Sequence, residues 1–208
     1  MFDFFKKKDT ETKASAQEPA KMDNGRTYNG VPRAEYTPGA IDSFKKKNTE
    51  TKASAQEPAK MDNGRTYNGV PRAEYTPKAI DSLRADEVFV FGSNLQGLHG
   101  GGAAYAAMKK FGAVYGQGVG LQGQSYAIPT MQGGVETIKP YVDQFIDFAR
   151  EHPELFFYVT RIGCGIAGFN DRDIAPLFKE AVDIENICLP KSFVKEIESA
   201  GMPAMKQE

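Results

Sequence analysis

The sequence predicts an α/β fold, a largely parallel sheet flanked by helices in three layers. Three observations carry that expectation. From residue 87 onward, short β-prone apolar runs alternate with helical patterns. Strands that alternate with helices need crossover connections, and crossovers build a parallel sheet covered on both faces. Two connections are glycine-rich, Gly92-Ser93-Asn94 through His99-Gly100-Gly101-Gly102-Ala103 and Gly163-Cys164-Gly165-Ile166-Ala167-Gly168-Phe169, and each follows a strand-like run. Upstream of residue 76 neither a period of two nor one of 3.6 is sustained, which confines the sheet to the later part of the chain.

Each element has a local reason. Thr76-Pro77 before Ala79-Ile80 reads as a capped helical turn, since Pro is favoured at the first helical position behind a Thr cap. Residues 87–91 (EVFVF) form a strand by β-branched and aromatic content, residues 102–111 an Ala-rich helix, and residues 125–129 (SYAIP) a second strand. A long amphipathic helix follows, with Ile138, Val142, Phe145, Ile146 and Ala149 on one stripe, Pro140 tolerable in its first turn, and an end near Glu151 before His152-Pro153. Residues 155–162 (LFFYVTRI) read as a third strand and residues 173–182 as a helix capped by Asp171 or Asp173. Residues 186–189 are a fourth strand and residues 191–200 a terminal helix.

The first part of the chain is a duplication. Residues 5–43 recur as residues 44–82 with two changes, Asp9 against Asn48 and Gly39 against Lys78. Repeat architectures stack three or more units through an apolar face, and this unit has no such face. The expected organisation is a disordered leader over 1–43 (first copy), a mostly disordered or extended second copy over 44–75, an α/β domain over 76–200 and a flexible C-terminus over 201–208. The first copy is expected to add length more than function, with Arg65-Thr66-Tyr67 and Arg72-Ala73-Glu74-Tyr75 able to lie along the domain surface.

Composition narrows the function classes. The 208 residues carry a net charge of -1 and a pI near 6.2, so nucleic acid is not the default partner. Cysteine occurs at 164 and 188 alone, too sparse for a disulfide framework and without the clustered spacing of a zinc site, which fits a reducing cytoplasm. Charged residues interrupt every apolar run before the eighteen or so residues that a membrane span needs. A cytoplasmic protein without metal or cofactor is the expectation.

The glycine loops carry the chemistry. Glycines ahead of a helix let the backbone approach an anion closely, with N–H groups and the positive helix end facing it. Asn94 suits ribose hydroxyls, and His99 can donate to a phosphate or move a proton. In the second loop Gly163, Gly165 and Gly168 bracket small apolar residues, and Phe169 offers an aromatic face for a base or sugar. Cys164 reads as a loop filler rather than a nucleophile. Between the loops, residues 115–124 are a Gly/Gln connector that either lines the site or simply links the two halves.

The strand with Asn94 and Gly100-Gly101-Gly102-Ala103, followed by the helix and then Arg161-Ile162-Gly163-Cys164-Gly165-Ile166-Ala167-Gly168-Phe169, resembles the ligand loops of macrodomains, the ADP-ribose-binding family. Residues 100–112 with 161–165 are closest to the terminal ADP-ribose protein glycohydrolase branch, and the whole is similar to phage and bacterial proteins of macrodomain type. The resemblance covers roughly residues 87–190. It implies a macrodomain-like three-layer fold and ADP-ribose or a related NAD-derived nucleotide as ligand, with an ADP-ribosylated protein as a further partner. It also implies a ligand set of Gly92, Ser93, Asn94, Gly100, Gly101, Gly102, Ala103, Gly163, Cys164, Gly165, Ile166, Ala167, Gly168 and Phe169.

Two departures bear on catalysis. The glycohydrolase branch has a lysine after the second strand and an acidic residue after the Gly-Cys-Gly-aliphatic run, where this chain has Met131 and Ala167. That covalent route is therefore closed. Asn94 and His99 leave open hydrolysis of an ADP-ribosyl linkage, or removal of a phosphate from an ADP-ribose phosphate. A non-catalytic accessory protein is the third reading. Macrodomains also carry extra strands ahead of the first loop, which residues 67–75 would have to supply.

Overall fold

In the computed structural model residues 65–201 are described throughout, with residues 27–28 and 31–32 of the first repeat copy. The leader and tail expected over 1–43 and 201–208 otherwise lie outside the described residues. Each repeat copy contributes a small antiparallel hairpin: β1 (Thr27–Tyr28) pairs with β2 (Val31–Pro32), and β3 (Arg65–Tyr67) with β4 (Val70–Arg72). The second turn is Asn68-Gly69, with φ of 50° and 75°. Two successive positive φ values match the right-handed strand twist, which is why Asn-Gly favours this turn.

The main sheet has five strands: β5 (Glu87–Ser93), β6 (Gly120–Gln122), β7 (Ser125–Pro129), β8 (Phe156–Val159) and β9 (Ile187–Cys188). Their order is β6-β7-β5-β8-β9; β6 runs antiparallel to β7 and every other pairing is parallel. The helices are α1 (Gly102–Lys110), α2 (Val135–Glu151), α3 (Asp171–Ile174) and α4 (Lys191–Gly201), and a 3-10 helix covers Ala175–Ala181. The fold is thus α/β with a mixed, mostly parallel sheet.

Period-two alternation divides the sheet's side chains between two cores. Val88, Val90, Tyr126, Ile128, Phe157 and Val159 point to one face and pack on Ile138, Val142, Phe145 and Ile146 of α2, on Phe178 and on Phe193 of α4. The stripe read from sequence on α2 is the face it buries. On the other face Phe89, Phe91 and Ala127 meet Ala104, Ala107 and Phe111 of α1. Beside them Phe156, Tyr158 and Cys188 meet Tyr67 and Ala73 of the second repeat copy. Among the described residues no helix is long and apolar enough to cross a membrane.

Several local readings change. Residues 76–80 contain no helical turn; Thr76 hooks onto the sheet edge instead, its N–H donating to Leu189 O (2.9 Å) and its Oγ1 to Cys188 O (2.7 Å). The helix expected over 173–182 begins two residues earlier and tightens to 3-10 geometry at Ala175-Pro176, where proline lacks the N–H that an α-turn needs. Its N-terminus is capped from Asn170, whose N–H donates to Asp173 Oδ2 at 3.0 Å. Strand β6 lies inside the Gly/Gln connector. Residues 65–72 form their own two-stranded sheet rather than extending the main one.

Candidate functional site

Chain direction fixes where a ligand can sit. After β5 the chain moves through α1 toward β7, whereas after β8 it moves the opposite way toward β9, so the connections diverge between neighbouring strands. In parallel α/β sheets such a switch point opens a crevice beyond the carboxyl ends of the strands. Both glycine loops leave from those ends. They enclose a cleft of ≈ 190 Å³ lined by residues 92–94, 99–104, 130–131, 160–163 and 165–167.

Two contacts bring the loops together. A Cβ on Gly92 would lie 3.3 Å from Gly163 N and 3.2 Å from Thr130 Oγ1, and one on Gly101 would lie 3.0 Å from Ile166 Cδ1. Without side chains at these positions the second loop can pack directly against the end of β5 and the start of α1.

The first loop is braced from within and behind. Asn94 folds it locally, its carbonyl accepting from Gly97 N (3.0 Å) and its Oδ1 from Leu98 N (3.1 Å). From behind, Gly116 N donates to Gly97 O (2.9 Å), and a Cβ on Gly118 would lie 2.1 Å from Asn94 O. The connector is therefore neither a lining nor a loose link. It is a packed support, tied by Gln122 through Val114 N to Oε1 (2.6 Å) and Nε2 to Gln117 O (3.0 Å).

His99 is not the exposed phosphate donor that its place in the loop suggests. It is 1% exposed, has φ of 44° and sets its ring edge-on to Phe91 at 5.1 Å. Ser93 Oγ donates its proton to Asn94 O (3.0 Å), so it accepts from His99 Nε2, 3.1 Å away. That assigns the proton to Nε2 and leaves Nδ1 a buried acceptor without a partner among the described residues. Burial holds the ring's pKa below its ordinary value, so the imidazole is neutral at pH 7.

Helix α1 begins behind Gly101 with no side-chain cap, and its first-turn residues Gly102, Ala103 and Ala104 line the cleft. Their N–H groups precede the first helical acceptor, Gly101 O, which takes Tyr105 N at 3.1 Å. In the second loop Cys164 N bonds Arg161 O (3.2 Å) and Gly168 N bonds Gly165 O (3.0 Å). The amides of Gly163, Gly165, Ile166 and Ala167 have no backbone acceptor among the described residues. Two rows of unpaired N–H groups therefore border one cleft. Its titratable lining side chains are His99 and Arg161, and no carboxylate lines it. Arg161 Nε and Nη2 each lie 2.9 Å from the Asp171 carboxylate.

Most of the sequence-derived ligand set converges here: Gly92, Ser93, Asn94, Gly100, Gly101, Gly102, Ala103, Gly163, Gly165, Ile166 and Ala167, together with His99. Cys164, Gly168 and Phe169 do not line the cleft. Phe169 packs on the core beneath the loop, its Cδ2 3.4 Å from where a Gly163 Cβ would sit. Cys164 is half-buried, and burial pushes its thiol up to about 12, so it is a protonated filler rather than a nucleophile. The sequence-derived ligand set omits Ala104, Thr130, Met131, Thr160, Arg161 and Ile162, which also line the cleft. The signal for Thr130, Met131, Thr160 and Arg161 is their position directly after β7 and β8. Among the described residues no cluster of three or more His, Cys, Asp or Glu could hold a metal ion. The chain matches no known family model, no curated protein and no solved structure.

Proposed function

We propose that the cleft binds the diphosphate of ADP-ribose or a related NAD-derived nucleotide, as a macrodomain-like module. The observation that carries this reading is the convergence of two sets of unpaired amides, one at an uncapped helix N-terminus, on a cleft without carboxylates. Backbone donors and a helix dipole favour an anion, and a pyrophosphate spans two cradles where a single phosphate fills one.

The same geometry favours binding over turnover. Asn94 Oδ1 is engaged by Leu98 N, leaving Nδ2 as its group toward a ribose hydroxyl. The neutral His99 ring holds Ser93 through Nε2 and so fixes the end of β5; its bare Nδ1 accepts a proton donor but supplies none. Met131 and Ala167, which replace the lysine and acid of the glycohydrolase branch, both line the cleft. The proposed activity is that of a reader of ADP-ribose.

Calorimetry with ADP-ribose, followed by incubation with an ADP-ribosylated protein, tests this. Binding without release of ADP-ribose is the expected result. Release would convert the reader into a hydrolase, and absence of binding would remove the nucleotide from the site.

A further inference from the structure

The second repeat copy is seated on the domain through side chains that the first copy also has. Arg72 is fully buried, its Nη1 donating to Glu87 Oε1 (2.6 Å) and its Nη2 paired with Asp86, while its guanidinium lies over the Phe156 ring at 4.8 Å. Tyr67 packs at a tilt on Phe156, ring centres 5.6 Å apart, and donates from its hydroxyl to Pro153 O (2.5 Å). Arg65 reaches Ile187 O at 2.5 Å, and Cys188 Sγ donates to Ala73 O at 3.4 Å. Moving back 39 residues gives Arg26, Tyr28, Arg33 and Ala34, the same residue at every position.

The backbone repeats as well as the sequence. The first copy pairs Thr27 with Pro32 and Tyr28 with Val31; the second pairs Thr66 with Pro71 and Tyr67 with Val70. These are one register, displaced by one repeat. Among the described residues there are thus two hairpins of the same sequence and pairing, the second of them seated on the dock.

We propose that the dock formed by Asp86, Glu87, Pro153, Phe156, Tyr158 and Cys188 accepts either hairpin, so the first copy is a built-in replacement for the second within one chain. When the first copy docks, residues 44–82 close as a surface loop between Ser43 and Leu83. Loop-closure entropy grows only logarithmically with length, so this arrangement is disfavoured but accessible. The second copy holds the dock because it joins the domain without a loop to close. Its loss is therefore capped: disabling it costs the closure entropy of one repeat rather than the whole docking interaction.

Three variants of the full chain test this. Tyr28→Ala/Arg33→Ala should leave the melting temperature unchanged. Tyr67→Ala/Arg72→Ala should lower it partly, protect Arg33 from trypsin and expose the Arg65-Thr66 bond. The quadruple variant should melt roughly 5 °C below the second or fail to fold, because nothing then neutralises buried Glu87. If the quadruple variant melts with Tyr67→Ala/Arg72→Ala, or if the latter alone fails to fold, the first copy does not reach the dock. A concentration-dependent dimer of Tyr67→Ala/Arg72→Ala on gel filtration would mean exchange between chains and would overturn replacement within one chain.

Discussion

The cleft and the hairpin dock lie on the same domain and are built in opposite ways. The dock is a surface of side chains paired mostly with one another and with carbonyls, Arg72 with Asp86 and Glu87, Tyr67 with Pro153, Thr76 with the edge strand, although the Nε atoms of Arg65 and Arg72 are buried without a partner. The cleft is a surface of backbone whose donors have no acceptor among the described residues. The first surface is closed largely by contacts within the chain, while the second keeps backbone donors open along its rim. On the proposed reading, the cleft is recognised less by which side chains it contains than by which hydrogen bonds are left unmade.

Glu87→Ala should show the largest effect. It removes the more buried of the two carboxylates that pair with the Arg72 guanidinium and should cost about 3 kcal/mol of stability. Affinity for ADP-ribose, measured by calorimetry on the folded fraction, should not move. A parallel loss of affinity would show that the two surfaces are coupled.

Gly101→Glu reverses the pattern. The new side chain enters the cleft against the flexible end of Ile166 and sets a carboxylate where an anion should sit. Affinity should fall about 100-fold, or roughly 2.7 kcal/mol, with an unchanged melting temperature. Unchanged affinity would take the first loop out of the site.

Asn94→Ala removes the acceptor for Leu98 N and the one side-chain amide in the cleft. It should cost about 1 kcal/mol of stability by thermal melts. ADP-ribose affinity should fall with it, since Nδ2 is then missing.

The smallest effect belongs to His99. Its ring takes up a proton less readily when folded than when unfolded, so the unfolded chain binds more protons just below about pH 6.5. Stability should be flat above that pH and fall as the pH drops toward the depressed folded value. His99→Asn, which tolerates the positive φ, should flatten the acid side of the profile. An identical profile in the variant would mean that other groups set the slope.

Sequence showed the sheet's centre best. The runs at β5 and β7 and the stripe on α2 are long and apolar enough to declare themselves, and β7 occupies the residues read for it. Short elements held by tertiary contact were less legible. Strand β6 is three residues within a glycine-rich stretch, and it forms because Leu121 and its neighbours pair along β7. Asn68-Gly69 carries a hairpin signal that the sequence reading of a disordered or extended second copy did not use, and the apolar partner Phe156 that seats the hairpin lies far along the chain. At the site, spacing identified the loops. It could not show that Phe169 turns inward or that Ser93 orients His99, because both follow from how the strand ends face one another.

Gly118 reaches beyond its own position. Because the chain crosses directly under the Asn94 carbonyl, the connector props the first loop from behind. A nucleotide entering it would meet donors already aimed, and little of the encounter energy would go into arranging them. Rapid association, with almost no backbone movement between the empty and filled forms, is the kinetic mark such a prearranged rim would leave.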